Sequence, residues 1–195
     1  MDIAERGRLP VVFKPEDVGA LEVQVPNGVL DIVVADEATT IANKYLSYFQ
    51  GRIDTWEVHD QRELRHVVPE NRLRVYDVRR VIALVGDVDS VLELRPEFGL
   101  ARVTAFARVE GRPVGIIANK AMHLGGAIDG DASDKASPMF VTGSNLGVLV
   151  FMLVLRKSYG LGRSAWLQAA SVPRSGWCRG QLVNSGVWAW KGSFG

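Results

Sequence analysis

The residues of this sequence best placed to do chemistry lie in one run, Gly125-Gly126-Ala127-Ile128-Asp129-Gly130-Asp131-Ala132-Ser133-Asp134-Lys135-Ala136-Ser137. A glycine pair leads into a string that can cap and open a helix. Backbone N–H groups at such a corner can hold a developing negative charge without any catalytic side chain. That suits chemistry at a carbonyl oxygen. A second corner of this kind is expected at Gly160-Leu161-Gly162. From the residues alone, two tight glycine turns explain the same pattern more simply.

Other candidates are weaker. Asp129, Asp131 and Asp134 suggest a calcium loop, but Asp134 stands where the sharp turn needs glycine and no glutamate closes the loop. Helix capping is the better reading of these aspartates. His59, His66 and His123 lack metal-ligand spacing. There is no G-x-S-x-G elbow, no P-loop and no G-x-G-x-x-G after a strand. Cys178 has no evident base beside it in sequence. Arg156 and Lys157 read equally as a carboxylate or phosphate contact and as a solvated strand end.

The elements that must position the corner follow from pattern. Pro10–Phe13, Leu21–Val25 and Leu30–Val34 read as strands, with a turn at Pro26-Asn27-Gly28. A helix is expected from Asp36, as cap, to Gln50, with Gly51 as its stop and Ala38, Ile41, Ala42, Tyr45 and Phe49 as its apolar face. Arg52–Asn71 reads as loop with a short helix. Tyr76–Val85 makes a second helix that buries Val78, Val81, Ile82 and Val85, with Asp77 near its start. The period then shortens. Glu110-Gly111-Arg112-Pro113 is expected to turn a hairpin between Arg102–Val109 and Val114–Ala118. Leu146–Leu155 reads as a fully buried strand.

With 195 residues, 47% hydrophobic and 23% charged, the chain has the composition of one globular domain. A net charge of +1 gives no field that favours nucleic acid or a membrane surface. A single cysteine excludes an internal disulfide and a multi-cysteine metal site. Met1–Arg6 has no signal pattern, and Val148–Leu155 is too short to span a bilayer. A cytoplasmic location is expected, with a mitochondrial one left open.

From Lys14 to Gly162 the sequence resembles the carboxyltransferase component of biotin-dependent acyl-CoA carboxylases. The resemblance rests on Pro69-Glu70-Asn71 with Tyr76-Asp77-Val78-Arg79, and on Gly111–Asn119, GRPVGIIAN. It rests also on Gly125–Asp129 with Ala132–Ala136, on Phe140–Gly143, and on Leu155–Gly162, LRKSYGLG, all in the family's order. It implies an α/β, crotonase-like fold of strand–strand–helix units stacked into a superhelix, here incomplete. It implies transfer of carboxylate from carboxybiotin to acetyl-CoA, propionyl-CoA or a related acyl-CoA. Two backbone oxyanion sites, one for the thioester enolate and one for the ureido oxygen of biotin, do most of that work, with no side-chain base and no metal. By resemblance Gly126, Ala127, Gly160 and Gly162 are the catalytic backbone positions, and Gly125, Arg156 and Lys157 contact the cofactor biotin. The partners implied are an acyl-CoA substrate, biotin carboxyl carrier and biotin carboxylase components, and further copies of the chain in a homo-oligomer. The alternative is a non-catalytic remnant that only joins an acyl-CoA carboxylase assembly. A hydratase or decarboxylase of the same fold would need an acid–base carboxylate pair that the sequence does not offer.

The sequence departs from the family at three joins. Residues 1–13 resemble a strand of the N-terminal, CoA-binding half, whereas residues 14–162 resemble a partial C-terminal domain from far downstream. A deletion is expected near Ser137-Pro138, where the family's intervening helix and strand are missing. Residues 163–195 hold four of the five tryptophans and no Asp or Glu. When the codons for Cys178–Gly192 are read two bases on, they permit Ser-Trp-Pro-Thr-Gly-Glu-Phe-Gly-Gly-Met-Gly, a family-like element. The tail is therefore expected to be out of frame, and the chain to be an inactive fragment of low stability. Sequencing the coding DNA checks this: the shifted frame should encode WPTGEFGG, and codons that forbid it would refute the frameshift.

Overall fold

Val103, Ala105 and Ala107 alternate with Thr104, Phe106 and Arg108, so one side of this segment is wholly apolar and the other mixed. This segment is the central strand of the structure, a computed structural model that describes residues 19–71, 73–145, 153–155 and 180–181. Strands β1 (Leu92–Leu94), β2 (Arg102–Val109) and β3 (Arg112–Asn119) form an antiparallel sheet in that order. Leu92 pairs with Phe106, Arg102 with Asn119 and Val109 with Arg112. A second, parallel pair joins β4 (Leu153–Val154) to β5 (Gly180–Gln181).

The hairpin turn is shorter than its sequence suggests. Only Glu110 and Gly111 lie outside the strands, at φ +50° and +75°, a two-residue turn whose twist suits antiparallel strands. Arg112 and Pro113 already belong to β3, and proline is tolerated there because β3 is the edge of the described sheet. Asp87 holds the turn. Its Oδ1 accepts from Glu110 N at 2.9 Å, its Oδ2 accepts from Gly111 N at 2.8 Å, and its own N–H donates to Arg108 O at 2.8 Å.

Two helical layers cover the sheet. Helix α4 (Val78–Val85) is capped by Asp77, whose carboxylate accepts from Arg79 N at 3.0 Å. It buries Val78 and Ile82 against Val103, and Val81 and Leu84 against Leu64 and Val67. Leu64 and Val67 belong to α3 (Leu64–Val67), the short helix expected within 52–71. Leu84 is buried where Val85 was expected, and Val85 is half-buried at the edge of the same cluster. The Arg79 guanidinium makes a two-pronged ion pair with Glu93 on β1, with both contacts at 2.7 Å.

On the other face Phe106 meets the aromatic end of α2 (Ala38–Ser47) and the 3-10 turn Tyr48–Gln50 that follows. The helix expected over 36–50 is present, but its inner face differs. Tyr48 is the buried residue, with Ile41 and Lys44 half-buried on the same stripe. Tyr45 and Phe49 reach Phe106 with ring edges, Tyr45 partly and Phe49 largely exposed. The polar core explains the stripe: Tyr48 Oη donates to Ser90 O, and Lys44 Nζ donates to Val91 O at 2.9 Å. Asp36 is not the cap; Glu37 takes that position without a side-chain bond.

Two expected strands are absent. Leu21–Gln24 is a one-turn helix, α1, in which Leu21 and Val23 are both exposed, so the alternation found no sheet to join. Leu30–Val34 has no ladder; it is tied down by Asp31, whose O accepts from Arg95 N at 2.7 Å and whose carboxylate accepts from Arg95 Nε at 2.6 Å. The turn at Gly28 is present, at φ +70°, with the Phe98 ring where a Cβ would stand. Of Leu146–Leu155 only 153–155 are described. Leu153 is exposed rather than buried, while Leu155 packs on the α3–α4 cluster. Pro10–Phe13 and nearly all of the 163–195 tail lie outside the described residues.

Asp87→Ala leaves two hairpin N–H groups unpaired at a buried turn. It should lower unfolding free energy by about 2–4 kcal/mol, read as a fall in urea midpoint at unchanged slope.

Candidate functional site

The glycine corner stands where strand β3 gives way to helix α5 (Gly130–Asn145). Strand, corner and helix follow in the order expected from sequence. Leu124, Gly125 and Gly126 form a 3-10 turn at φ +46°, +64° and +84°. Left-handed backbone is free to glycine and strained for Leu124. Nothing lies within 4 Å of the place a Cβ on Gly125 would take, so the corner's edge is open. Met122, Leu124 and Ile128 around it are exposed.

The two N–H groups of most interest have partners inside the turn. Gly126 N donates to His123 O at 2.8 Å, and Ala127 N donates to Leu124 O at 3.1 Å. Asp129 then caps α5: its Oδ1 accepts from Ala132 N at 2.8 Å, and its backbone O accepts from Ser133 N at 3.1 Å. Of the three aspartates read as helix caps, Asp129 is one, whereas Asp131 and Asp134 lie within α5. The second carboxylate oxygen of Asp129 lies 3.8 Å from His123 Nε2.

Helix α5 is fixed to the sheet by residues whose role the sequence did not reveal. Ala132, Lys135 and Ala136 form its buried stripe. Lys135 is 3% exposed, and its ammonium donates to Phe98 O at 2.8 Å and Arg102 O at 3.0 Å. Burial pushes its pKa down to about 8; Glu93 opposes that shift, while Arg79, Lys120 and Arg95 add to it. The visible signal was a lysine at i+3 within a stripe of alanines, which period alone assigns to the inner face.

Helix α5 runs unbroken through Ser137-Pro138 with the proline inside it. Proline removes one internal N–H donor, and beyond it Val141 and Thr142 are exposed. Gly160, Gly162, Arg156 and Lys157 lie outside the described residues, as do the joins at 13–14 and 162–163.

A separate cavity of about 340 Å³ lies beside Tyr48, Lys44, Trp56, Asp87, Ser90 and Arg108 and shares no lining residue with the corner. Two of its charged groups, Arg108 and Asp87, serve the fold. Arg108 donates to Ser47 O, Gly51 O and Gly111 O, and Asp87 holds the hairpin. Among the described residues no group of acidic, histidine or cysteine side chains could hold a metal ion, and no helix is long and apolar enough to cross a membrane.

Residues 11–154 match the sequence profile of the family described as "Carboxyl transferase domain". The chain belongs to this carboxyl transferase family. Its described part is a piece of the α/β, crotonase-like fold. It is 43% identical over 75 residues to the biotin-dependent long chain acyl-coenzyme A carboxylase beta4 subunit of Mycobacterium tuberculosis, covering 38% of this chain and 14% of that one. It is 41% identical over 110 residues to the methylmalonyl-CoA carboxyltransferase 12S subunit of Propionibacterium freudenreichii, covering 52% and 21%. Among solved structures, a single-chain, multi-domain long-chain acyl-CoA carboxylase superposes with TM-score 0.70 at 50% identity, covering 81% of this chain and 16% of that one. The transcarboxylase 12S hexamer superposes with TM-score 0.64 at 29% identity, covering 85% and 36%. The chain thus spans about a seventh to a fifth of these two curated relatives and little more than a third of the 12S structure.

The buried lysine gives this carboxyl transferase chain a testable alkaline signature. Between about pH 8 and 10.5 the unfolded chain keeps the Lys135 proton that the folded chain has lost. Stability should therefore rise with pH across that window, by up to about 3 kcal/mol. Tyr48, pushed up to about 12 by burial, acts the other way above pH 10. Denaturant titrations of wild type and Lys135→Met as a function of pH isolate the lysine, because only the wild type should show its rise.

Proposed function

We propose that this chain carries the biotin-side corner of a carboxyltransferase and that by itself it does not transfer carboxylate. The family match and the order strand, glycine corner, capped helix support the first part. In complete relatives the reaction would take carboxylate from carboxybiotin on a carrier protein to the α carbon of an acyl-CoA. On this reading Gly126 and Ala127, with Gly160 and Gly162, mark the backbone donors, and Gly125, Arg156 and Lys157 the surrounding contacts.

The observation that carries the second part is the hydrogen bonding of the corner. Gly126 N and Ala127 N are both spent on carbonyls of their own turn. In this conformation they do not fit a ureido oxygen, which needs donors aimed outward at about 2.7–3.1 Å. No step through biotin is therefore assigned to this chain.

A second reading has its own support. Phe49, Leu73, Leu124 and Val141 are all more than half exposed, a large apolar display for one small body. It fits a chain that joins other subunits of a carboxylase assembly. The assay that separates the two is carboxybiotin-dependent formation of malonyl-CoA or methylmalonyl-CoA by the full chain, alone and with carrier and biotin carboxylase components. No product, with co-elution of a carboxylase subunit on size exclusion, is the expected outcome. Product formation by the chain alone would overturn the proposal.

A further inference from the structure

The corner spans residues 121–129, and both of its ends rest on one other segment, the turn Phe98–Arg102. On the strand side, Lys120 N donates to Ala101 O at 2.9 Å just past the end of β3. On the helix side, Lys135 Nζ bridges Phe98 O and Arg102 O. Between these contacts the first turn of α5 lies directly on Gly99. A Cβ there would stand 2.6 Å from Asp131 O, 3.0 Å from Asp131 C and 3.1 Å from Ala132 Cα. Gly99 also has φ +53°, so both its conformation and its neighbours require glycine. The turn is itself closed by Arg102 N donating to Gly99 O at 2.9 Å, and its Ala101 is fully buried.

We infer that Gly99 and Lys135 are positioning residues for the glycine corner, and that the Phe98–Arg102 turn sets where the corner's backbone stands. The inference rests on reading the corner as a site, but its placement role is measurable without any reaction. Gly99 fixes how close α5 approaches, because only a missing side chain lets the helix backbone sit on the turn. Lys135 fixes the helix against rotation and sliding, because one ammonium must meet two carbonyls on opposite sides of that glycine. Neither residue touches the corner; each acts through α5.

The test is the amide NMR spectrum of the full chain in wild type, Gly99→Ala, Lys135→Met and Lys135→Arg. Gly99→Ala and Lys135→Met should move the amides of Gly126, Ala127 and Asp129–Ala132 while leaving those of Glu110 and Gly111 at the hairpin in place. Lys135→Arg, which keeps a cationic donor of similar reach, should restore most of the wild-type corner positions. Folded variants whose corner amides do not move would overturn the inference, as would arginine failing to rescue where methionine perturbs. Should both disruptive variants unfold, native-state hydrogen exchange of the wild type decides. Lys120 N, Arg102 N and Gly126 N should open as one unit, and independent opening of the corner would refute the coupling. Carboxyl transfer by the wild-type chain alone would overturn the proposed function and leave these spectral outcomes intact.

Discussion

Strand β2 must be sealed on both faces, and most of the structure follows from how that is done. Ala101, Ala105 and Ala107 are fully buried and Val103 nearly so. On their face α4 packs Val78 and Ile82 against Val103. The opposite face carries Phe106 and Arg108, which need larger and more polar company. Tyr48 stacks on Phe106, and Arg108 spends its guanidinium on three backbone carbonyls of the surrounding turns. Helix α5 joins that same face, with Met139 against Gly115, the residue paired with Phe106. A buried cation that donates to three backbone carbonyls is tolerable; the same cation unpaired would cost several kcal/mol.

Buried charge is thus a recurring device rather than an accident of one site. Asp87 holds the hairpin, Arg108 holds the loops around Tyr48, and Lys135 holds α5. Each spans segments distant in sequence and satisfies backbone groups that no ladder reaches. Described side chains leave no buried nitrogen or oxygen without a partner. The buried polar groups of the described part are thus satisfied, while Leu73, Leu124 and Phe49 remain open to solvent.

The sequence made α4, its Asp77 cap, the β2–β3 hairpin and the strand–corner–helix order legible because those features are local. Capping, glycine at positive φ and period depend on neighbours a few residues away. The misreadings were of another kind. Leu21–Val25 and Leu30–Val34 alternate like strands, but a strand exists only if another offers it a ladder. The inner face of α2 turned on Tyr48 reaching Ser90 and Lys44 reaching Val91, contacts across more than forty residues. The corner's glycines were evident, whereas the engagement of their N–H groups and the seat beneath them were not, since the seat depends on contacts with the Phe98–Arg102 turn more than thirty residues from Lys135.

The central claim is that the corner is a closed turn seated on Phe98–Arg102, its two candidate donors turned inward. Through-hydrogen-bond scalar couplings in the isotopically labelled full chain test it most directly. Couplings from Gly126 N to the His123 carbonyl carbon and from Lys120 N to the Ala101 carbonyl carbon should both be resolved, alongside the control coupling from Asp87 N to Arg108. A spectrum that shows the control but neither of the other two would contradict the account.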